Sequence, residues 1–224
     1  MTEHPVTSWA RVNTYHSFFF DICEKSYSEY LLIEEEIINL QKRKCRNEFY
    51  DDFIELENLR DALGFHTILY AAMCIEASIF DYAATQLGDE FVKTHFEKID
   101  LLSKWVIIPK YVCGAEINKN RPAYAGLKQL IKTRNALVHH KSSEFTSTSD
   151  HFDKIEKKSK ELRQSIRDSY RTLVLLSLEM DELLGNQFNP LKSFDKKTNL
   201  TLKIPKNLIN IINECKNTHA KSKS

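Results

Sequence analysis

Apolar residues recur at spacings of three, four, seven and eight along most of this chain, the rhythm of helices that bury one face. Phe18, Ile22, Tyr30, Ile33, Ile37 and Leu40 lay such a stripe along a first helix, with Ser8 as its N-cap and its end near Arg46. Lys42, Arg43, Lys44 and Arg46 gather at that end, where positive charge suits the helix dipole. Phe49, Phe53, Leu56 and Leu59 make a second, short pattern with an acidic opposite face. Across residues 62–87 charge nearly vanishes, Glu76 being the only formal charge between Asp61 and Asp81. A helix apolar on most sides belongs at the centre of a bundle.

Residues 91–99 and 101–112 predict two shorter helices, the second interrupted by Pro109. After a polar break at 118–122, Pro122 has the φ that opens a helix, and Leu127, Leu130, Ile131 and Leu137 carry it onward. Residues 142–149 are rich in serine and threonine and read as a connection. A long helix follows over 153–184, charged early and apolar late, until Gly185 and Asn186 stop it. Beyond Pro190 the chain turns polar. Residues 200–204 alternate as a short strand would, and 208–212 predict a small amphipathic helix before a Lys/Ser tail. The expected fold is all-α: an antiparallel helical bundle over residues 1–186 and a small C-terminal appendage over 187–224.

Composition supports this and narrows the chemistry. Apolar residues make up 42% and charged residues 28% of 224, enough for one substantial core. Five glycines and five prolines leave little material for the turns of an all-β fold. With 32 basic residues against 31 acidic, the net charge is +1, so any nucleic-acid contact needs a local patch. The five cysteines, Cys23, Cys45, Cys74, Cys113 and Cys215, are scattered and form no Cys-x-x-Cys pair, which argues against a zinc site or a disulfide framework. The N-terminus lacks a secretory pattern, and no uninterrupted apolar run reaches the length of a bilayer span. The expectation is a soluble, cytoplasmic protein without cofactor or metal.

One cluster carries chemistry. Residues 132–141 read Lys-Thr-Arg-Asn-Ala-Leu-Val-His-His-Lys, with Arg134, Asn135 and His139 within one and a half helical turns. Asn135 and His139 are four apart and share a helix face, while Arg134 lies about 100° to the side on a stem long enough to reach back. A guanidinium binds a phosphate through a rigid donor fork, an amide orients a hydroxyl, and an imidazole moves a proton near neutral pH. Those are the needs of metal-free RNA cleavage.

This string, late in an amphipathic helix and followed by another long helix, resembles the Arg-x4-6-His motif of the HEPN superfamily (higher eukaryote and prokaryote nucleotide-binding domains). The likeness includes the polar residue directly after the arginine, and its helical context covers roughly residues 60–185. Many HEPN proteins are metal-independent endoribonucleases that act as toxins or antiviral-defence effectors. By position, the resemblance implies that Arg134 binds the scissile phosphate and stabilises developing charge, that Asn135 contacts the phosphate or holds the ring, and that His139 is general base or acid. It implies attack by a ribose 2′-OH, a 2′,3′-cyclic phosphate product, and a homodimer that builds a composite site from two motifs. His140 is the accessory candidate for the second proton transfer, Lys141 a further accessory candidate, and Glu76 one for orienting Arg134 or His139 from a neighbouring helix. Some HEPN toxins are controlled by modification of a tyrosine two residues after the motif histidine; Lys141 stands there instead, which leaves any antitoxin or defence-system partner open.

Plainer readings compete. Arg134 alone would be a helix-end salt bridge, and His139 alone a helix-terminal histidine. The basic run 42–46 and the acidic pair Asp51 and Glu55 read as solvated faces. Phe18, Phe19 and Phe20 with Tyr15 and Trp9 read as packing before base stacking, and Trp105 with Ile107 and Ile108 as core. Two other functions stay open: a non-catalytic HEPN-like module binding RNA, nucleotide or protein, and an all-α assembly protein with a coincidental hexad.

Overall fold

The computed structural model describes residues 11, 14–42, 50–139, 149–185, 189–194 and 203–223. Among them are seven α-helices and no strand: α1 His16–Lys42, α2 Tyr50–Leu87, α3 Asp89–His95, α4 Leu101–Cys113, α5 Pro122–Val138, α6 Ser149–Leu184 and α7 Ile209–Lys221, the last preceded by a 3₁₀ turn at Lys206–Leu208. The all-helical class expected from the periodicity is the class observed.

Contacts along α1 and α2 run in opposite directions, so the two form an antiparallel pair. The Cys74 thiol donates to the His16 carbonyl, and the Cys23 thiol donates to the Thr67 carbonyl at 3.4 Å. α2 touches α1, α3, α4, α5 and α6 and is the central element. Its buried side, Leu63, Ile68, Ala71, Ala72, Ile75, Ile79 and Ala83, explains the near absence of charge in that stretch. α4 is seated by Trp105, fully buried, whose indole N–H donates to the Ile75 carbonyl at 3.2 Å.

Several local expectations need correction. The two patterns on either side of Asp61 are one helix of 38 residues, because nothing between them breaks it. Gly64 sits inside that helix where a Cβ would run into the Ile166 side chain, so it serves close packing of α6. Pro109 does not interrupt α4; it is buried on the core side with Trp105 and Ile108, and packing offsets the one hydrogen bond that a proline removes. The buried face of α1 is Phe20, Cys23, Tyr27, Tyr30 and Ile37, while Phe18 is 59% exposed. Tyrosines won that face because their rings stack on α6: Tyr27 and Tyr170 lie 5.1 Å apart between centroids. Ile107 is exposed, unlike its neighbours. α1 begins at His16, whose ring lies 2.9 Å from Asp81 of α2; Ser8 and Trp9 lie outside the described residues.

By length and composition α2 could cross a membrane, although its apolar stretch is interrupted by polar residues. More than half of the qualifying stretch is buried inside the bundle, where a core helix needs the same composition.

Residues 200–202, part of the alternating segment, lie outside the described residues, and 203–205 have no regular structure. The small amphipathic helix predicted at 208–212 continues to Lys221. α7 lays Ile211, Ile212 and Cys215 into the core and runs parallel to α6, Arg167 meeting Glu214 and Glu182 meeting Lys223.

Candidate functional site

The site is the C-terminal half of α5, and its position is set at the other end of that helix. Asn118 folds the approach: its side chain accepts from the Asn120 amide at 3.0 Å and its carbonyl from the Arg121 amide at 3.0 Å. Arg121 then stands extended as the N-cap, with Pro122 at the first helical position. Its guanidinium donates to Glu179 and Glu182 of α6, each at 3.1 Å, and Glu179 is 1% exposed. This pins the start of α5 against α6.

Ala123, Leu127 and Leu130 then face the core. Opposite them, Lys128, Lys132, Asn135 and His139 are all exposed. Arg134, seven residues after Leu127 and four after Leu130, continues the line of the core stripe at the end of the helix and is only partly exposed, and its guanidinium donates to the Asn135 side-chain oxygen at 3.1 Å. That bond carries the cation round toward the solvent face and turns the Asn135 amide nitrogen free to donate. His139 is the C-cap, with φ −105° and ψ 26°, and its backbone N–H returns to the Asn135 carbonyl at 3.0 Å. The carboxamide and the guanidinium are thus joined on the last turn, and the exposed His139 caps it.

Chemically the cluster offers donors for an anion from Arg134 and Asn135 and one imidazole for proton movement. It does not hold a second proton carrier within the described residues: His140 and Lys141 lie outside them. Glu76 is exposed on α2, and no hydrogen bond or ion pair joins it to Arg134 or His139 among the described residues. Asp51 and Glu55 are exposed as well, and among the described residues no group of three His, Cys, Asp or Glu side chains converges to hold a metal. Lys42 is exposed at the end of α1, while Arg43, Lys44 and Arg46 lie outside the described residues. Of the aromatic cluster, Phe20 is buried, Phe19 packs against the core, and Phe18 and Tyr15 face solvent.

Sequence reasoning passed over Lys128 and Lys132. The signal was present in their spacing of four from each other and of seven and three from Asn135, which places all of them on one face. No protein-family model, curated protein or solved structure matches this chain.

Proposed function

We propose that this protein is a metal-independent endoribonuclease of the HEPN type, acting in the cytoplasm as a homodimer and serving as a toxin or antiviral-defence effector. The observation that supports the reading is the Arg134–Asn135 hydrogen bond, which joins a guanidinium to a carboxamide on the last turn of α5, with the exposed His139 as the cap of that turn.

In this reading Arg134 binds a non-bridging oxygen of the scissile phosphate and meets the charge that builds there. His139 takes the proton of the adjacent ribose 2′-OH, whose oxygen attacks phosphorus. The P–O5′ bond breaks, the 5′ oxygen receives a proton, and the products are a 2′,3′-cyclic phosphate and a 5′-hydroxyl. One imidazole cannot serve as base and acid at once, so the second proton comes from His139 of a symmetry mate whose α5 faces the first. Any antitoxin or other defence partner would act on this dimer.

The test is incubation of end-labelled RNA with the protein in EDTA, resolving products by their termini. Cyclic-phosphate ends that vanish in Arg134→Ala and His139→Ala, and in RNA lacking the 2′-OH at the cut, are the expected result. Cleavage that survives both substitutions or depends on Mg²⁺ overturns the mechanism. RNA binding without such products would leave a binding module instead.

A further inference from the structure

Many basic side chains of this fold are ion-paired, although Lys98, Lys110 and Lys158 are, among the described residues, exposed without a carboxylate partner. On α6, Lys160 pairs with Glu156, Arg163 with Glu34 and Arg167 with Glu214. Lys128 and Lys132, by contrast, have no carboxylate partner among the described residues, and both are exposed. The sequence around them explains why. Between Glu116 and Glu144 there is no acidic residue, while Lys119, Arg121, Lys128, Lys132, Arg134 and Lys141 all fall there. Arg121 is paired with Glu179 and Glu182, so on α5 itself the excess positive charge is that of Lys128, Lys132 and Arg134, with no acidic residue in the helix.

The geometry adds direction. On an α-helix, Lys128, Lys132, Asn135 and His139 fall within an arc of about 60°, and the first and last are about 16 Å apart along the axis. Successive members are thus spaced about 4.5–6 Å along the axis on one face. A line of strongly hydrated point charges on flexible stems suits a run of backbone phosphates better than a single bidentate ligand.

We infer that Lys128 and Lys132 form a phosphate track that leads a single-stranded RNA along α5 to Arg134, Asn135 and His139. This rests on the ribonuclease reading for the strand's destination, but its own content is the positioning role of the two lysines. Each lysine neutralises one backbone phosphate upstream or downstream of the cut and contributes no base recognition. Binding is consequently sequence-tolerant and steeply dependent on salt.

The measurement is fluorescence anisotropy of a labelled single-stranded RNA, 2′-O-methylated throughout so that it cannot be cut, titrated with full-length protein across a NaCl series. Each lost contact should lower the log–log salt slope by about 0.7, so Lys128→Gln/Lys132→Gln should flatten it by about 1.4. Two exposed lysines off this helix, changed as Lys25→Gln/Lys98→Gln, serve as the charge-matched control and should leave the slope in place. Equal slopes for the wild type and the α5 pair overturn the track, as does equal flattening by both pairs, which would mean that only net charge matters. A wild type that ignores RNA overturns it too, and leaves the face to an acidic protein. The two readings separate cleanly. A flattened slope in a protein that cuts no RNA keeps the track and removes the nuclease; active cleavage with an unchanged slope does the reverse.

Discussion

Gly126 of α5 and Thr172 of α6 lie so close that a Cβ at position 126 would stand 2.6 Å from the threonine hydroxyl oxygen. Thr172 cannot yield easily, since it is buried and its hydroxyl donates to the Asp168 carbonyl at 2.7 Å. The pair sets how near the site helix comes to α6.

Gly126→Ala therefore sets two effects against each other. Alanine improves helix propensity by up to about 1 kcal/mol, while overpacking costs about 1–3 kcal/mol. We expect a net loss of about 1 kcal/mol in chemical denaturation. In a Thr172→Ala background the obstruction is gone and the same change should become neutral or stabilising. If the sign does not move between backgrounds, the contact does not set the helix spacing.

Arg134 and His139 sit at a helix end where loss of a side chain should cost little stability, within about 0.5 kcal/mol for the exposed His139 and about 1 kcal/mol for the half-exposed Arg134. Their effect on turnover should be far larger, about 10²–10⁴-fold for His139→Ala and about 10²–10³-fold for Arg134→Ala. Arg134→Lys should recover only part of the rate, because an ammonium cannot hold Asn135 and a phosphate oxygen with one planar fork. Parallel melting curves and single-turnover rates decide this; a large drop in melting temperature with activity tracking it would make the hexad a structural feature.

Acid should loosen α7. His219 is buried between α6 and α7, its ring 3.1 Å from Glu182 and 3.7 Å from Glu179, with Lys223 and Arg121 nearby. Burial holds its imidazole below the ordinary 6.5, assisted by Lys223, so the folded protein resists a proton that the unfolded chain accepts. Stability from this group is complete above pH 6.5 and declines as pH falls below it. Glu182 behaves alike at lower pH: Lys223 and then Arg121 hold its carboxyl at about 2 instead of 4.5, so its share is present above 4.5 and lost as pH falls toward 2. The urea midpoint should drop between pH 7.5 and 5.5, and less so in His219→Gln. Identical pH dependence in the two proteins would exclude His219 as the cause.

Glu24, Tyr170 and Lys192 hold the segment after α6 against α1. Glu24 is 6% exposed, accepts from the Tyr170 hydroxyl at 3.1 Å and from Lys192 at 2.8 Å, and the ammonium also lies over the Phe20 ring. Burial and the neighbouring carboxylate push the Tyr170 phenol well above its usual range, so it stays a donor. Lys192→Ala leaves a buried carboxylate without its cation and should cost about 3 kcal/mol. Tyr170→Phe removes one hydrogen bond and should cost about 1–2 kcal/mol. Denaturation of both variants and of the double change measures the coupling, which additive losses would rule out.

Much of the architecture was legible because helical periodicity is a local property. Pro122, Gly88 and Gly185 marked ends that the structure keeps, and the charge-free stretch within α2 announced a central helix. Faces were harder to read. Phe18 fits an apolar stripe as well as Phe20 does, and only the rings of Tyr170 and Phe194 across the interface decide between them. Adjacent elements joined for the same reason: Gly64 looks like a weakness in α2 until Ile166 occupies the space it leaves.

The site divides along the same line. The chain by itself determined which chemical groups share one and a half turns of α5, because spacing along a helix needs no partner. Tertiary structure decided that the Arg134 stem leaves the helix in line with Leu127 and Leu130 and bonds to Asn135, and that unpaired lysines lie on the face opposite the core. It also decided that α7 completes the hydrophobic interior. Those outcomes depend on which surface each helix can bury against another, and burial is a property of the packed whole.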